Sequence, residues 1–160
     1  MKFTPPVKFL VGILLTMLTV AGCNSNNKLD ERTKWLVEKD QLVDELHRLI
    51  NDLSEEDLKV IWKKDNEEII KQRQKDPTLH ISPFTKDYRN KVLFAIHNSV
   101  GVVEIMHKDP KVQKSLEKCR QHGQETSGRV QQYYKAVVKL LERSLEEGRK
   151  KGLSIPDPHK

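Results

Sequence analysis

Residues 112–145 read VQKSLEKCRQHGQETSGRVQQYYKAVVKLLERSL, and apolar or small side chains recur in them every three or four positions. An α-helix completes a turn in 3.6 residues, so this spacing places those side chains along one face. The pattern predicts an amphipathic helix that buries this face against other helices. The face comprises Val112, Leu116, Cys119, Gly123, Thr126, Val130, Tyr133, Val137, Leu141 and Leu145.

A local signal marks the start of this segment. Asp109-Pro110 offers a side-chain cap followed by a first-turn proline, which predicts a helix over about residues 110–150. Gly123 and Gly128 each cost about 1 kcal/mol relative to alanine inside a helix. The helix is therefore either continuous or broken between residues 121 and 128, and a break would add a fifth helix. Residues 153–160 are expected to form a flexible tail.

Upstream, Ser82-Pro83 shows the same capping pattern and predicts the start of a third helix that ends before Asp109. Helical spacing identifies the side chains that this helix is expected to bury. They are Phe84, Tyr88, Val92, Ala95, Ile96, Ser99, Val103 and Met106.

Two more helices are predicted before residue 77. The first covers about residues 29–52, where Leu36, Val43 and Ile50 recur in a heptad. The second begins at Ser54, because Asp57 three residues later completes a pattern typical of a capping box. It runs to Asp76-Pro77, since the residue before a proline avoids the helical conformation. Its expected apolar positions are Leu58, Ile61, Trp62, Ile69 and Ile70.

No segment has the alternating pattern of a strand. The sequence therefore predicts an all-α domain over residues 29–152. Short connections make consecutive helices neighbours, which favours an antiparallel bundle of four helices, or of five if the fourth one breaks.

The N-terminus has the features of a secretory leader. Lys2 and Lys8 precede an apolar run from Phe9 to Ala21, which is thirteen residues long. A membrane-spanning helix needs roughly twenty, whereas a signal peptide has this length and these positive flanks. Thr19-Val20-Ala21-Gly22-Cys23 at the end of the run resembles the lipobox of bacterial lipoproteins.

This resemblance implies that residues 1–22 are a removable signal peptide, that Cys23 is acylated, and that residues 23–28 form a polar tether. Two or three acyl chains hold a protein on a bilayer essentially permanently. The implied location is the bacterial envelope: the outer membrane, facing the periplasm, in a Gram-negative host, and the outer face of the plasma membrane in a Gram-positive host. Asn24, in place of an aspartate, favours the outer membrane. No cofactor is expected besides this covalent lipid.

The charge of the mature chain is mild. Removing Lys2 and Lys8 from the 29 basic residues leaves 27 against 23 acidic ones, a formal charge of +4. A nucleic-acid-binding protein would show a concentrated basic stripe, so this class is not expected. With Cys23 acylated, Cys119 has no partner for a disulfide.

Two groups of residues could form a metal site. If the third and fourth helices form a hairpin, His97 lies level with Cys119 and His122, and Cys and His side chains are ligands for zinc. The plainer interpretation is that Cys119 packs in the core. Glu104 and His107, three residues apart, match half of a di-iron motif, but no second copy exists, so they are expected at the surface.

No motif of a hydrolase, a phosphate-binding loop or a zinc protease is present, so no catalytic residue and no small-molecule substrate is assigned. The sequence predicts a non-enzymatic binding or adaptor protein of the secretion, conjugation or surface-exclusion type, with an envelope protein as partner. Leu36, Val43 and Ile50 are the candidate docking positions, although the same heptad also fits the domain's own core. The alternative function is a metal-binding bundle centred on His97, Cys119 and His122.

Overall fold

The structure is a computed structural model that describes residues 26–152. The predicted signal peptide, Cys23 and the predicted tail at 153–160 lie outside the described residues. The chain divides into two compact units at residue 34. In the first unit, residues 26–34 are helical and Lys34 pairs with Asp30 at 2.6 Å. The second unit is described over residues 35–152.

The described part of the chain is all-helical, as predicted, and contains no strand. Its helices are α1 (Asn26–Asp52), α2 (Glu55–Asp65), α3 (Glu67–Arg73), α4 (Tyr88–Ile105), α5 (Pro110–Glu125) and α6 (Gly128–Lys151). The helix α1 begins within the predicted tether, since neither proline nor glycine separates residues 26–28 from the periodic segment.

The helix α6 packs against α1, α4 and α5. Arg143 and Arg129 of α6 reach Glu38 and the carbonyl of Asp52 in α1, so these two helices run in opposite directions. Arg120 of α5 pairs with Glu142 of α6, and Gly123 lies against Tyr134, so α5 is also antiparallel to α6. The stripe that predicted the longest helix contributes Leu116, Val130, Tyr133 and Leu145 to the buried core.

The predicted long fourth helix breaks at Thr126 and Ser127, within the range that the two glycines indicated. Gly128 has a φ of +59°, a left-handed conformation that favours glycine. The Thr126 hydroxyl donates to the carbonyl of His122, and the Gln131 amide donates to the carbonyls of Gly123 and Thr126. Side chains thereby satisfy carbonyls that the end of α5 leaves free.

The predicted second helix is two helices. Ser54 and Asp57 form the capping box that the sequence indicated. At Asn66, however, the side-chain amide donates to the carbonyl of Trp62 at 2.8 Å, and the helix is interrupted. Asparagine often competes with the backbone in this way. The short α3 that follows has no buried residue.

The third helix begins at Tyr88, not after Ser82-Pro83. The carbonyl of Ser82 accepts a hydrogen bond from Trp62 Nε1 at 3.2 Å, which fixes residue 82 in a connecting segment. The buried face of α4 also differs from the predicted one. Ala95 and Ser99 are exposed, whereas Val100 and Glu104 are buried.

The core has one main cluster and one satellite. The main cluster joins residues from α1, α2, α4 and α6 with Leu53, which lies between α1 and α2. Its other members are Leu42, Leu46, Ile50, Leu58, Ile61, Val92, Val100, Val130, Tyr133, Tyr134 and Leu140. The satellite consists of Val103, Leu116 and Leu145. Burial of these side chains is the main stabilising contribution, at about 25 cal/mol per Å² of apolar surface.

Glu104 and His107 are buried, contrary to the expectation that they lie at the surface. Glu104 is 7 % exposed, and its carboxylate accepts a hydrogen bond from Trp35 Nε1 at 3.1 Å. Lys39 and Lys151 add ion pairs at 3.4 and 3.3 Å. A buried carboxylate is tolerated when several donors surround it. These donors come from α1 and α6, so Glu104 joins both helices to α4.

The backbone at Glu104 also contacts α6 directly at Gly148. A Cβ atom added to Gly148 would lie 2.1 Å from the Glu104 carbonyl oxygen. Only glycine allows the two helices to approach this closely.

We expect Gly148→Ala to lower the free energy of unfolding by about 2 kcal/mol or more, because the obstructing atoms are backbone and the helices must separate. Gly101→Ala is the matched control. Gly101 also lies within a helix but has open space around it, so alanine there should be neutral or stabilising by up to about 1 kcal/mol. Urea unfolding of both variants measures the difference, and equal stabilities would contradict the close α4–α6 contact.

Candidate functional site

An open groove lies between α2, α3 and the connection that leads to α4. We call it the α2–α3 groove, and its volume is about 950 Å³, within the range of small ligand sites. Its apolar lining is Val60, Trp62, Ile70, Ile81, Pro83 and Phe84. Its polar lining is Lys63, Lys64, Glu67, Lys71, Arg73 and Gln74.

The wall opposite the two helices is held by aromatic side chains. The Trp62 indole donates to Ser82 in the connecting segment, and Phe84 packs against Tyr88 with ring centroids 5.7 Å apart. Lys59 lies over the Phe84 ring at 5.6 Å. The groove therefore exists because residues 81–84 are not helical and are joined to α2 by the Trp62 hydrogen bond.

The rim of the groove is basic and only partly neutralised. Lys64 pairs with Glu125 at 2.5 Å, and Lys71 pairs with Glu67 at 2.6 Å. Lys63 and Arg73 are exposed and have no ion-pair partner among residues 26–152. An apolar floor beside unpaired cations suits a ligand that is both apolar and acidic.

Next to the groove, three side chains point toward one another from α3 and α5. Their ligand atoms, on Glu67, His122 and Glu125, all lie within 4.8 Å of one another. His122 is 8 % exposed, and its Nδ1 has no hydrogen-bond partner in the described structure. Of these residues, sequence reasoning had singled out only His122.

A polar layer that is only partly buried lies behind this cluster. The Asp65 carboxylate accepts hydrogen bonds from the hydroxyls of Tyr88 and Tyr134, at 2.8 and 3.1 Å. Burial raises the pKa of Asp65, and the two hydrogen bonds act in the opposite direction. Burial and the nearby Asp65 carboxylate raise the pKa of both phenols, which therefore stay protonated as donors.

The structure does not bring His97, Cys119 and His122 together as a metal site. His97 is exposed on α4, and Cys119 packs against the main core cluster. Only Glu67, His122 and Glu125 form a close group of three potential ligands within residues 26–152. Burial, with a smaller effect of Asp65, raises the pKa of Cys119 to about 11.

Leu36, Val43 and Ile50, the candidate docking positions, do not share one exposed surface. Ile50 is fully buried and Val43 packs against the same core cluster, whereas Leu36 is 44 % exposed. Most of the heptad is thus used by the domain's own core.

A second apolar surface lies on α4. Phe94, Val102 and Ile105 are spaced to share one side of the helix and are 72 %, 48 % and 44 % exposed. None of these three residues lines the α2–α3 groove, so this surface can serve as a control for it.

Within residues 26–152, no helix is both long enough and apolar enough to cross a bilayer. Cys23, the predicted lipid attachment site, is outside the described residues. Comparison of the chain with protein-family models, with curated proteins and with solved structures finds no match.

Sequence reasoning missed the groove because Trp62, Ile70 and Phe84, three of its six apolar residues, had been assigned to buried helix faces. Ile69 and Ile70 continue the spacing of Leu58 and Ile61, and only the interruption at Asn66 turns them toward the surface. The excess of lysine and arginine between residues 59 and 73 is the sequence signal that could have indicated an exposed site.

We expect the Cys119 thiol to be unreactive near neutral pH. A thiol with a pKa of about 11 has about a hundredfold less thiolate at pH 8 than one with a pKa of 9. Alkylation by iodoacetamide in the Cys23→Ser protein, followed by mass spectrometry from pH 7 to 11, measures this. The urea-unfolded protein is the control and should react at the rate of an ordinary thiol. Equal rates for the folded and unfolded protein would contradict the buried environment.

Proposed function

We propose that this chain is a lipid-anchored adaptor of the bacterial envelope that binds a partner protein without catalysing a reaction. Its secretion, conjugation or surface-exclusion role would depend on that partner. The observation that carries the proposal is the α2–α3 groove, in which six apolar residues lie beside the unpaired cations Lys63 and Arg73. The lipobox-like sequence ending at Cys23 supports the envelope location.

The occupant that fits this groove is an acidic amphipathic segment of the partner. Its apolar side chains would cover Trp62, Ile70 and Ile81, and its carboxylates would meet the basic rim. Opposite charges across such a contact contribute chiefly to specificity and to the rate of encounter. Apolar burial against the floor supplies most of the affinity.

We further propose that α1, α4, α5 and α6 act as one antiparallel bundle that serves as a rigid support. The reversed directions of α1 and α5 relative to α6 favour this arrangement. In this arrangement, the bundle holds α2 and α3, which form the groove, in place. With acyl chains on Cys23, close in sequence to the start of α1, the domain would stay near the membrane surface.

Photo-crosslinking in the native host tests which surface binds. A benzophenone amino acid at Val60 or Ile81, which line the groove, should give one defined crosslinked partner. The same amino acid at Phe94, on the exposed side of α4, should not. Mass spectrometry of the product should locate an acidic amphipathic segment. A partner captured only from Phe94 would contradict the groove assignment.

Charge reversal tests the rim. Lys63→Glu combined with Arg73→Glu should reduce crosslinking from the groove at least about tenfold, since like charges now oppose the partner's carboxylates. Lys91→Glu combined with Lys108→Glu is the matched control, because both are exposed lysines without an ion pair in residues 26–152. Circular dichroism confirms that each variant is folded. An equal loss with both changes would indicate a general charge effect and not a specific groove.

A further inference from the structure

The group formed by Glu67, His122 and Glu125 has the composition of a metal-binding site. One imidazole nitrogen and two carboxylate oxygens lie within 4.8 Å of one another. The His122 Nδ1 is 4.0 Å from Glu125 Oε2, too far for a hydrogen bond, and no other described group pairs with it. An unpaired polar atom on a residue that is 92 % buried needs an explanation.

The imidazole is fixed, whereas the carboxylates can move. The His122 ring packs on the ring of Tyr134 with centroids 5.3 Å apart, and the adjacent Gly123 lies against the same tyrosine. Glu67 and Glu125 each keep 37 % of the side chain exposed. Ligand atoms around zinc are about 2.0–2.2 Å from the metal, so closing the site needs only small rotations of the two glutamates.

Lys64 already places a positive charge at this position. Its ammonium group lies 2.5 Å from Glu125 Oε2 and 4.0 Å from Glu67 Oε2. Lys71 also pairs with Glu67 Oε1 at 2.6 Å, so two ammonium groups balance the two carboxylates but leave the His122 nitrogen unsatisfied. A divalent cation would satisfy all three groups, and it would compete with Lys64 and Lys71 for the same two carboxylates.

We propose that Glu67, His122 and Glu125 form a site for a divalent transition metal of the zinc type, with water completing the coordination. The imidazole ligand favours zinc and similar borderline ions over magnesium and calcium, which prefer oxygen ligands. Because Glu67 belongs to α3 and the other two ligands belong to α5, the metal would join α3 to the rest of the domain. It would also release Lys64, which lines the α2–α3 groove, from its carboxylate partners.

Titration of the purified, detergent-solubilised full chain with Zn²⁺, measured by calorimetry, tests this site. We expect one equivalent to bind, and Co²⁺ to give visible absorption bands of a nitrogen- and oxygen-coordinated ion. Glu125→Gln should weaken binding at least about tenfold, and His122→Ala should abolish it. His97→Ala, which removes an exposed histidine on α4, should leave binding unchanged.

Lys64→Met separates a metal site from a purely structural ion pair. It removes one of the two competing ammonium groups, so Zn²⁺ should bind about tenfold more tightly than to the unaltered protein, although the Glu125 ion pair is lost. A structural role alone would lower the melting temperature and leave Zn²⁺ affinity unchanged. Absence of Zn²⁺ binding at 100 μM, or equal affinity of the unaltered and Glu125→Gln proteins, would overturn the proposal. Since Glu125→Gln alters an exposed side chain, its folding is not at risk.

Discussion

The buried carboxylate of Glu104 lies where the three longest helices, α1, α4 and α6, meet. It accepts a hydrogen bond from Trp35 of α1 and pairs with Lys151 of α6, while its own backbone lies against Gly148. A buried charge without such donors would cost several kcal/mol, so the helices cannot slide past one another without losing this set of contacts. At the other end of α4, the hydroxyls of Tyr88 and Tyr134 both donate to Asp65, which attaches α2 to α4 and α6.

The candidate site is formed by elements that lie outside the contacts among α1, α4 and α6, above all by α3. After Asn66 the chain turns away from the core, and α3 buries none of its residues. Ile70 of α3 then lines a groove together with the segment that Trp62 holds at Ser82. The short exposed helix beside unpaired cations, carried by α1, α4 and α6, is the feature on which the proposed binding function rests. The same short helix contributes Glu67 to the cluster around His122.

The helix caps could be predicted because they depend on neighbouring residues. The features that were predicted wrongly depend on contacts between residues far apart in the sequence. Ser54 with Asp57, and Asp109 with Pro110, cap helices as the sequence indicated, because a cap needs only neighbouring residues. Ser82-Pro83 has the same pattern but does not start a helix, since its carbonyl bonds to a tryptophan 20 positions away. Glu104 was expected at the surface because its hydrogen-bond donor, Trp35, is 69 positions away in the sequence. The metal-type cluster was missed for the same reason: its glutamates come from separate helices, and only a folded chain brings them to His122.

The central claim is that the α2–α3 groove binds an acidic amphipathic segment, and chemical-shift mapping tests it most directly. An acidic amphipathic helical peptide is titrated into the isotopically labelled protein, with a peptide of the same apolar face and basic charges as control. We expect the acidic peptide alone to shift the indole signal of Trp62 and the methyl signals of Ile70 and Ile81, and the shifts to weaken as salt is added. Shifts confined to Phe94, Val102 and Ile105, or equal responses to both peptides, would contradict it.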